Sequence, residues 1–315
     1  MNINPRGFIG ETDKRKMVAL SQSFLAENIH VVDLPYRFCS WAFDTPDNIR
    51  LWDNAQGRLL AWAVMQTPFW MIDYAYDPSI EGSLHPLILE WADNRAREIL
   101  NTSNGHPTWF VSVFNSQSER LNDLEVIGFA SQENVGDDSW SKVFMECSAL
   151  IPASDTLPAA GFTIHPLAGE GEVEAYVELH QTIFGTRNMT KEWRLRTLLC
   201  PEYLPDLDLV TVAPDGRLAA MCVGWLTRNA KGETMGQIEP LGVHPDFRNL
   251  GLGRVILLEG LRRLRFHAAE KIFVETDKYR NAALALYKSC GFRVIQDVLV
   301  FRKDYCTASN GGSSE

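Results

Sequence analysis

In the second half of the chain, apolar residues switch repeatedly between strand-like and helix-like spacing. Phe162–His165 reads as a short strand. From Glu172 to Phe184, residues Val173, Tyr176, Val177, His180 and Phe184 recur at three- and four-residue intervals, which predicts a helix with one apolar face. A second helix is expected over Lys191–Leu199. Two strands flank the turn Ala213-Pro-Asp-Gly216, and a third covers Met235–Val243. A long amphipathic helix, Gly251–Ala268, follows with Leu257, Leu261, Leu264 and Ala268 on one face. Strand Ile272–Thr276, helix Ala282–Ser289 and strand Val294–Arg302 complete a mixed α/β layout.

The first half repeats three landmarks in the same order. The strand-turn-strand patterns around Gly57-Arg58 and Gly216-Arg217 lie 159 residues apart. The strands closing at Pro78 and Pro245 lie 167 apart, and each precedes a long amphipathic helix. Gly128-Phe129 and Gly291-Phe292 lie 163 apart. Nearly constant offsets predict two copies of one fold. Between them, residues 151–160 hold two prolines and small polar residues, as a linker would. The expected division is a domain over 1–150, a linker over 151–160, a second domain over 161–306 and a disordered Ser/Gly-rich tail over 307–315.

Composition narrows the function more than the fold. Apolar residues make up 45% of the 315 residues, so each half can bury a core. The net charge of −10 argues against nucleic acid or an anionic membrane as partner. Six cysteines without a CxxC pair suggest neither a metal site nor a disulfide framework, and they are expected to be reduced thiols. Met1–Glu11 lacks the apolar core of a signal peptide, and no apolar run reaches about 18 residues, so a cytoplasmic protein is expected. The sequence carries no signal of oligomeric state.

The candidate chemistry centres on Val243-His-Pro-Asp-Phe-Arg-Asn-Leu-Gly-Leu-Gly-Arg254, where a strand ends and Gly251 and Gly253 open a helix. Free N–H groups at a helix start can bind an anion, and glycine lets the backbone approach it. From Pro245 to Lys271 there are six basic and three acidic residues, an excess that fits a polyphosphate. The dinucleotide pattern GxGxxG fails because its third glycine is Ile256, and no Gly-Lys-Ser/Thr follows for a Walker loop.

Arg248-Asn-Leu-Gly-Leu-Gly253 instead resembles the R/Q-x-x-G-x-G/A motif of the GNAT acetyltransferases. Ile238-Glu-Pro-Leu-Gly-Val-His-Pro245 is similar to that family's fourth strand, and Asn281-Ala-Ala-Leu-Ala-Leu-Tyr-Lys-Ser-Cys-Gly-Phe292 to its second motif. The resemblance covers about Gly161 to Tyr305. It implies two tandem GNAT-like domains, with acetyl-CoA as acyl donor and no metal. The backbone of Leu241, Gly242 and Val243 would pair with the pantetheine amides. The amides of Arg248, Asn249, Leu250, Gly251, Leu252, Gly253 and Arg254 would hold the pyrophosphate. Asn281 matches the family's asparagine but lies six residues before Tyr287 where seven is commoner, a place that Arg280 takes. Pro240 inside a strand fits a bulge.

An amine near pKa ~10.4 must lose a proton before attacking a thioester. Glu239 is the candidate base, directly or through water; the other reading is a strand carboxylate facing solvent or an arginine. Tyr287 is the candidate acid for the departing thiolate; the other reading is aromatic packing above Gly291-Phe292. Cys290 and His180 read as core residues, the latter with its hydrogen bonds satisfied, and His244, the histidine expected nearest the chemistry, as a strand terminator.

In the first half, the loop Asp77-Pro-Ser-Ile-Glu-Gly-Ser-Leu-His-Pro86 has no arginine and two carboxylates, and Leu124 stands where Tyr287 stands in the second. A copy that has lost CoA binding is expected there. The acidic balance favours a cationic small-molecule acceptor. The expected function is transfer of acetyl from acetyl-CoA to a primary amine of a small molecule, and the alternative is a non-catalytic acyl-CoA sensor.

Overall fold

The computed structural model describes residues 2–136, 140–148 and 158–305. Residues 151–157 of the expected linker and the tail 307–315 lie outside the described residues. The chain divides into two compact units. One gathers Met1–Leu20, Ala42–Ser141 and Val298–Glu315, the other Ser21–Trp41 and Lys142–Asp297. A division in sequence order, 1–150 against 161–306, differs from these units at Ser21–Trp41, at 142–148 and after Asp297.

In chain order the elements are β1 (Ile3–Gly7), α1 (Glu11–Ser23), α2 (Leu34–Phe38), β2 (Ile49–Asn54), β3 (Leu59–Gln66), β4 (Met71–Tyr76), α3 (Glu81–Ile99), β5 (Thr108–Phe114), α4 (Ser118–Val126), β6 (Ala130–Ser131) and β7 (Lys142–Ser148). They continue with β8 (Thr163–Pro166), α5 (Val173–Phe184), α6 (Lys191–Leu198), β9 (Asp208–Val212), β10 (Leu218–Arg228), β11 (Thr234–Val243), α7 (Leu252–Phe266), β12 (Lys271–Asp277), α8 (Asn281–Ser289) and β13 (Arg293–Asp304).

The two units share one pairing scheme. In the first, β1 to β4 pair antiparallel in turn, β4 meets β5 in parallel, and the C-terminal part of β13 pairs antiparallel with β5. In the second, β8 to β11 pair antiparallel in turn, β11 meets β12 in parallel, and β7 pairs antiparallel with β12. Each unit thus takes the strand beyond its parallel pair from the other half of the sequence.

Local geometry repeats as well. Gly57 and Gly216 both have positive φ, and the bonds Asn54 N–H to Arg58 and Ala213 N–H to Arg217 close the two hairpins at 2.9 Å each. Gly128 (φ 91°) and Gly291 (φ 88°) end α4 and α8, with Phe129 N–H reaching back to Leu124 and Phe292 N–H to Tyr287. Left-handed backbone at these four positions is why glycine stands there.

The core of the second unit lies between one sheet face and helices α7 and α8. Ile238, Ile272, Val274, Met145 and Cys147 pack there against Leu257, Leu261 and Leu264. Ala268 is not part of this helix face: α7 ends at Phe266, and Ala268 turns left-handed at φ 61° while Ala269 N–H closes on Leu264. The opposite sheet face carries Trp225, Gln237, Glu239, Phe273, Glu275, Phe144 and Lys142, because side chains alternate along paired strands. Over Trp225 lie Tyr36 of α2, 5.8 Å between ring centroids, and through Tyr36 the stacked Trp193 of α6.

Candidate active site

The site begins with an irregularity in β11. Cys222 pairs with Leu241 and Gly224 with Ile238, so Val223 alone faces both Glu239 and Pro240. This is the bulge expected at Pro240. On the other edge, β11 and β12 pair only over Met235↔Lys271, Gly236↔Ile272 and Gln237↔Phe273. Beyond Gln237 the parallel ladder stops although both strands continue, which leaves an edge at Leu241, Gly242 and Val243 that can accept an added strand. Gly242 is required for packing: a Cβ there would come to 2.6 Å from Ile183 Cγ2 of α5.

Residues 248–251 are exposed. Asn249 (φ 65°) and Gly251 (φ 76°) turn the chain into α7, whose N-terminus has no side-chain cap. Gly251 C=O already accepts from Arg254 and Val255, whereas the N–H groups of Gly251, Leu252 and Gly253 precede the first helical acceptor. The cationic excess read along α7 is largely internal: Arg262 and Arg263 both bond Glu259 at 2.7 Å, and the Arg254 guanidinium holds Ser289 of α8. What this loop offers an anion is therefore chiefly its backbone N–H groups.

Glu239 does not face solvent and an arginine. It is half-buried, touched by water but crowded by protein, and the charges around it come from three other segments. Burial raises its carboxyl most, the carboxylates of Asp33 and Glu275 raise it further, and His30 and Lys142 oppose them, with the result at about 7. His30 Nδ1 lies 3.2 Å from Asp33 Oδ2 and His30 Nε2 3.9 Å from Glu275 Oε2, so the imidazole spans two carboxylates. Burial and Arg37 work against its charge, but Asp33 and Glu275 prevail and raise its pKa. Burial would raise Glu275 too, yet Lys142, 2.6 Å away, and His30 hold it at about 2. Asp33 is buried, and its Oδ1 has no hydrogen-bond partner among the described residues.

Tyr287 is buried, with its ring edge-on to Phe292. Burial and then the charge of Glu239 raise its phenol above its ordinary value, so it stays protonated through the neutral range. Tyr176 of α5 is buried as well, and its hydroxyl has no hydrogen-bond partner among the described residues. Asn281 is exposed at the first turn of α8.

Two histidine expectations change. His244 Nδ1 accepts the Asp246 N–H at 3.1 Å and so caps the turn after β11, while the histidine beside Glu239 is His30. His180 is a core residue, but its Nδ1 has no hydrogen-bond partner among the described residues, and burial lowers its pKa to about 4. His30, Asp33 and Lys142 escaped the sequence reading because more than 90 residues separate each from Glu239. The legible signal was Glu275, a carboxylate inside the apolar strand Ile272–Thr276.

Residues 173–292 match the model of the acetyltransferase (GNAT) family. This segment contains β11, the glycine loop, Glu239 and Tyr287, whereas His30, Asp33 and Lys142 lie outside it. Among curated relatives, a mycothiol acetyltransferase of Kineococcus radiotolerans is 34% identical over 146 residues, which cover 44% of this chain and 46% of the relative. The chain thus spans about half the length of the curated relatives it matches. Among solved structures, a GCN5-related N-acetyltransferase from Sphaerobacter thermophilus aligns over 96% of this chain and 95% of its own, with a TM-score of 0.67 and 18% identity. A tandem GNAT protein from the clavulanic acid biosynthesis pathway aligns over 98% and 100%, with a TM-score of 0.63 and 12% identity. The fold is that of a tandem GNAT protein.

Proposed function

We propose that the second unit transfers an acetyl group from acetyl-CoA to a primary amine of a small molecule by direct attack. The observation that carries this reading is Glu239, brought to about 7 where β11 and β12 part, with the protonated phenol of Tyr287 close enough to feel its charge. The pantetheine would add to the free edge at Leu241–Val243, and the pyrophosphate would sit on the amides of Arg248 to Arg254. Asn281, exposed at the start of α8, is retained as a contact to the donor. The names of the matched relatives support acetyl as the acyl group.

An amine acceptor arrives mostly as an ammonium ion. The recess holds three carboxylates, Glu239, Asp33 and Glu275, which favour its entry. Glu239 then takes the proton, and a base near 7 does this far better than an ordinary carboxylate. The neutral amine attacks the thioester carbonyl, Tyr287 gives its proton to the departing thiolate, and the proton that the nitrogen loses as the amide forms returns to Tyr287. This scheme needs no covalent cysteine, and Cys290 is buried under Arg254 and Ser289.

The first unit would not bind the donor. Its β4 and β5 part at an equivalent place, but the gap is filled from within. Glu81 bonds Tyr76 OH and Arg120, and His85 bridges Asp123 at 2.7 Å and Tyr74 OH at 3.0 Å. The test is a broad amine screen that follows CoA release from acetyl-CoA, with Glu239→Gln in parallel. Turnover with some amine, lowered at least ~100-fold in the variant at unchanged acetyl-CoA affinity, supports the proposal. Donor binding without turnover across the panel would replace it with the sensor reading.

A further inference from the structure

We propose that Cys39 and Cys200 form a redox-active dithiol, a modification site at which a low-molecular-weight disulfide closes an intramolecular bond between the end of α2 and the end of α6. Both residues belong to the second unit. Cys39 is the C-cap of α2, and its Sγ lies 3.6 Å from the carbonyl oxygen of Arg196 in the last turn of α6. Cys200 follows that turn, its N–H bonded to Thr197, so the same helix end presents both Arg196 C=O and Cys200. The two thiols are hydrogen-bonded to each other. Both are partly accessible, whereas Cys147, Cys222 and Cys290 are buried.

The neighbourhood supplies the chemistry. Cys200 Sγ also donates to Glu202 Oε2 at 3.0 Å. The neighbouring Cys39 thiol, burial and Glu202 together hold Cys200 protonated, so Cys39 attacks first. A Cys39 thiolate attacks the disulfide RSSR, forms a mixed disulfide and releases RS⁻, which takes up a proton. Cys200 then gives its proton to Glu202, and its sulfur attacks Cys39 Sγ and expels the second RS⁻, which takes that proton in turn. Two protein thiols lose two electrons, and RSSR becomes two RSH. The bond would span 161 positions of sequence and fix α2 against α6, the pair already joined by the Tyr36–Trp193 stack and by Trp193 Nε1 donating to Tyr36 C=O at 3.1 Å.

The test treats the purified full chain with glutathione disulfide at pH 8, blocks remaining thiols with iodoacetamide and maps peptides without reduction. The expected product is one linked peptide joining Cys39 to Cys200, with Cys147, Cys222 and Cys290 still alkylated after denaturation, and dithiothreitol restores the separate peptides. Cys200→Ser should stop at glutathione attached to Cys39, and the oxidised wild type should melt on the order of 5 °C higher than the reduced form. Independent alkylation of both cysteines after oxidation, glutathione attached to each, or a disulfide between two chains would overturn the proposal.

Discussion

Glu239 and Glu275 hold equivalent places on neighbouring parallel strands, each two residues past Gln237↔Phe273, the last pair of the ladder. The period of two sends both side chains to the same sheet face. Two carboxylates cannot share that face cheaply, and the structure separates their roles with partners. Lys142 and His30 hold Glu275 ionised at about 2, and Glu239, which has no direct ion pair among the described residues, stays near 7. One carboxylate is a fixed charge, and the other can gain or lose its proton near neutrality.

The rising limb of kcat/KM against pH should therefore fall near 7. Glu239 must be ionised to take the amine's proton, so activity is lost as pH drops through that value. Acceptors with different amine pKa values should share this limb, because it belongs to the enzyme. A limb that tracks the acceptor instead would count against Glu239 as the base.

His30→Gln or Lys142→Met should move the limb to higher pH. Both cations favour the ionised form of Glu239, and removing either raises its carboxyl further. A shift on the order of 0.5–1 unit is expected, with acetyl-CoA affinity unchanged. A purely structural role for these residues would lower activity without moving the limb.

Tyr287→Phe keeps the ring against Phe292 and removes only the hydroxyl. It should lower kcat about 10- to 100-fold with little effect on the KM for acetyl-CoA. Thio-leaving groups of lower pKa need less protonation, so they should recover part of the loss. Equal loss with every leaving group would remove Tyr287 from the proton-transfer step.

Glu239→Gln should stabilise the protein while inactivating it. An unfolded glutamate titrates near ~4.3 and the folded one at about 7. Between those values the unfolded state has released its proton while the folded state keeps it, so stability falls as pH rises, and the whole deficit is present above 7. The variant should gain roughly 1–3 kcal/mol at pH 8 and nothing at pH 4 in urea unfolding. Equal stability of the two proteins at pH 8 would show that Glu239 is not desolvated in the native state.

Arg120→Ala in the first unit should cost about 3 kcal/mol in the same assay, because it leaves Glu81 without its buried guanidinium and takes the cation from the face of the Tyr76 ring. Acetyl-CoA affinity should not change.

Periodicity and turn chemistry made the element order of the second half legible, because amphipathic spacing and left-handed glycines are local properties. Gly216 and Gly251 adopt positive φ where a turn and a helix start were expected. The bulge at Pro240 was legible for the same reason: proline cannot donate to a ladder. Ala268 was misplaced because an apolar residue in register cannot reveal that its backbone turns left-handed one step past the helix.

The sequence by itself determined the repeat, the glycine loop and the two chemical candidates Glu239 and Tyr287. These are set by residue type and short-range spacing. Only the tertiary structure decided what Glu239 is. Its proton affinity comes from burial and from Asp33, Glu275, His30 and Lys142, charges carried by three other stretches of chain. Electrostatic interaction depends on distance in space rather than along the chain, so no spacing rule could have brought those residues together.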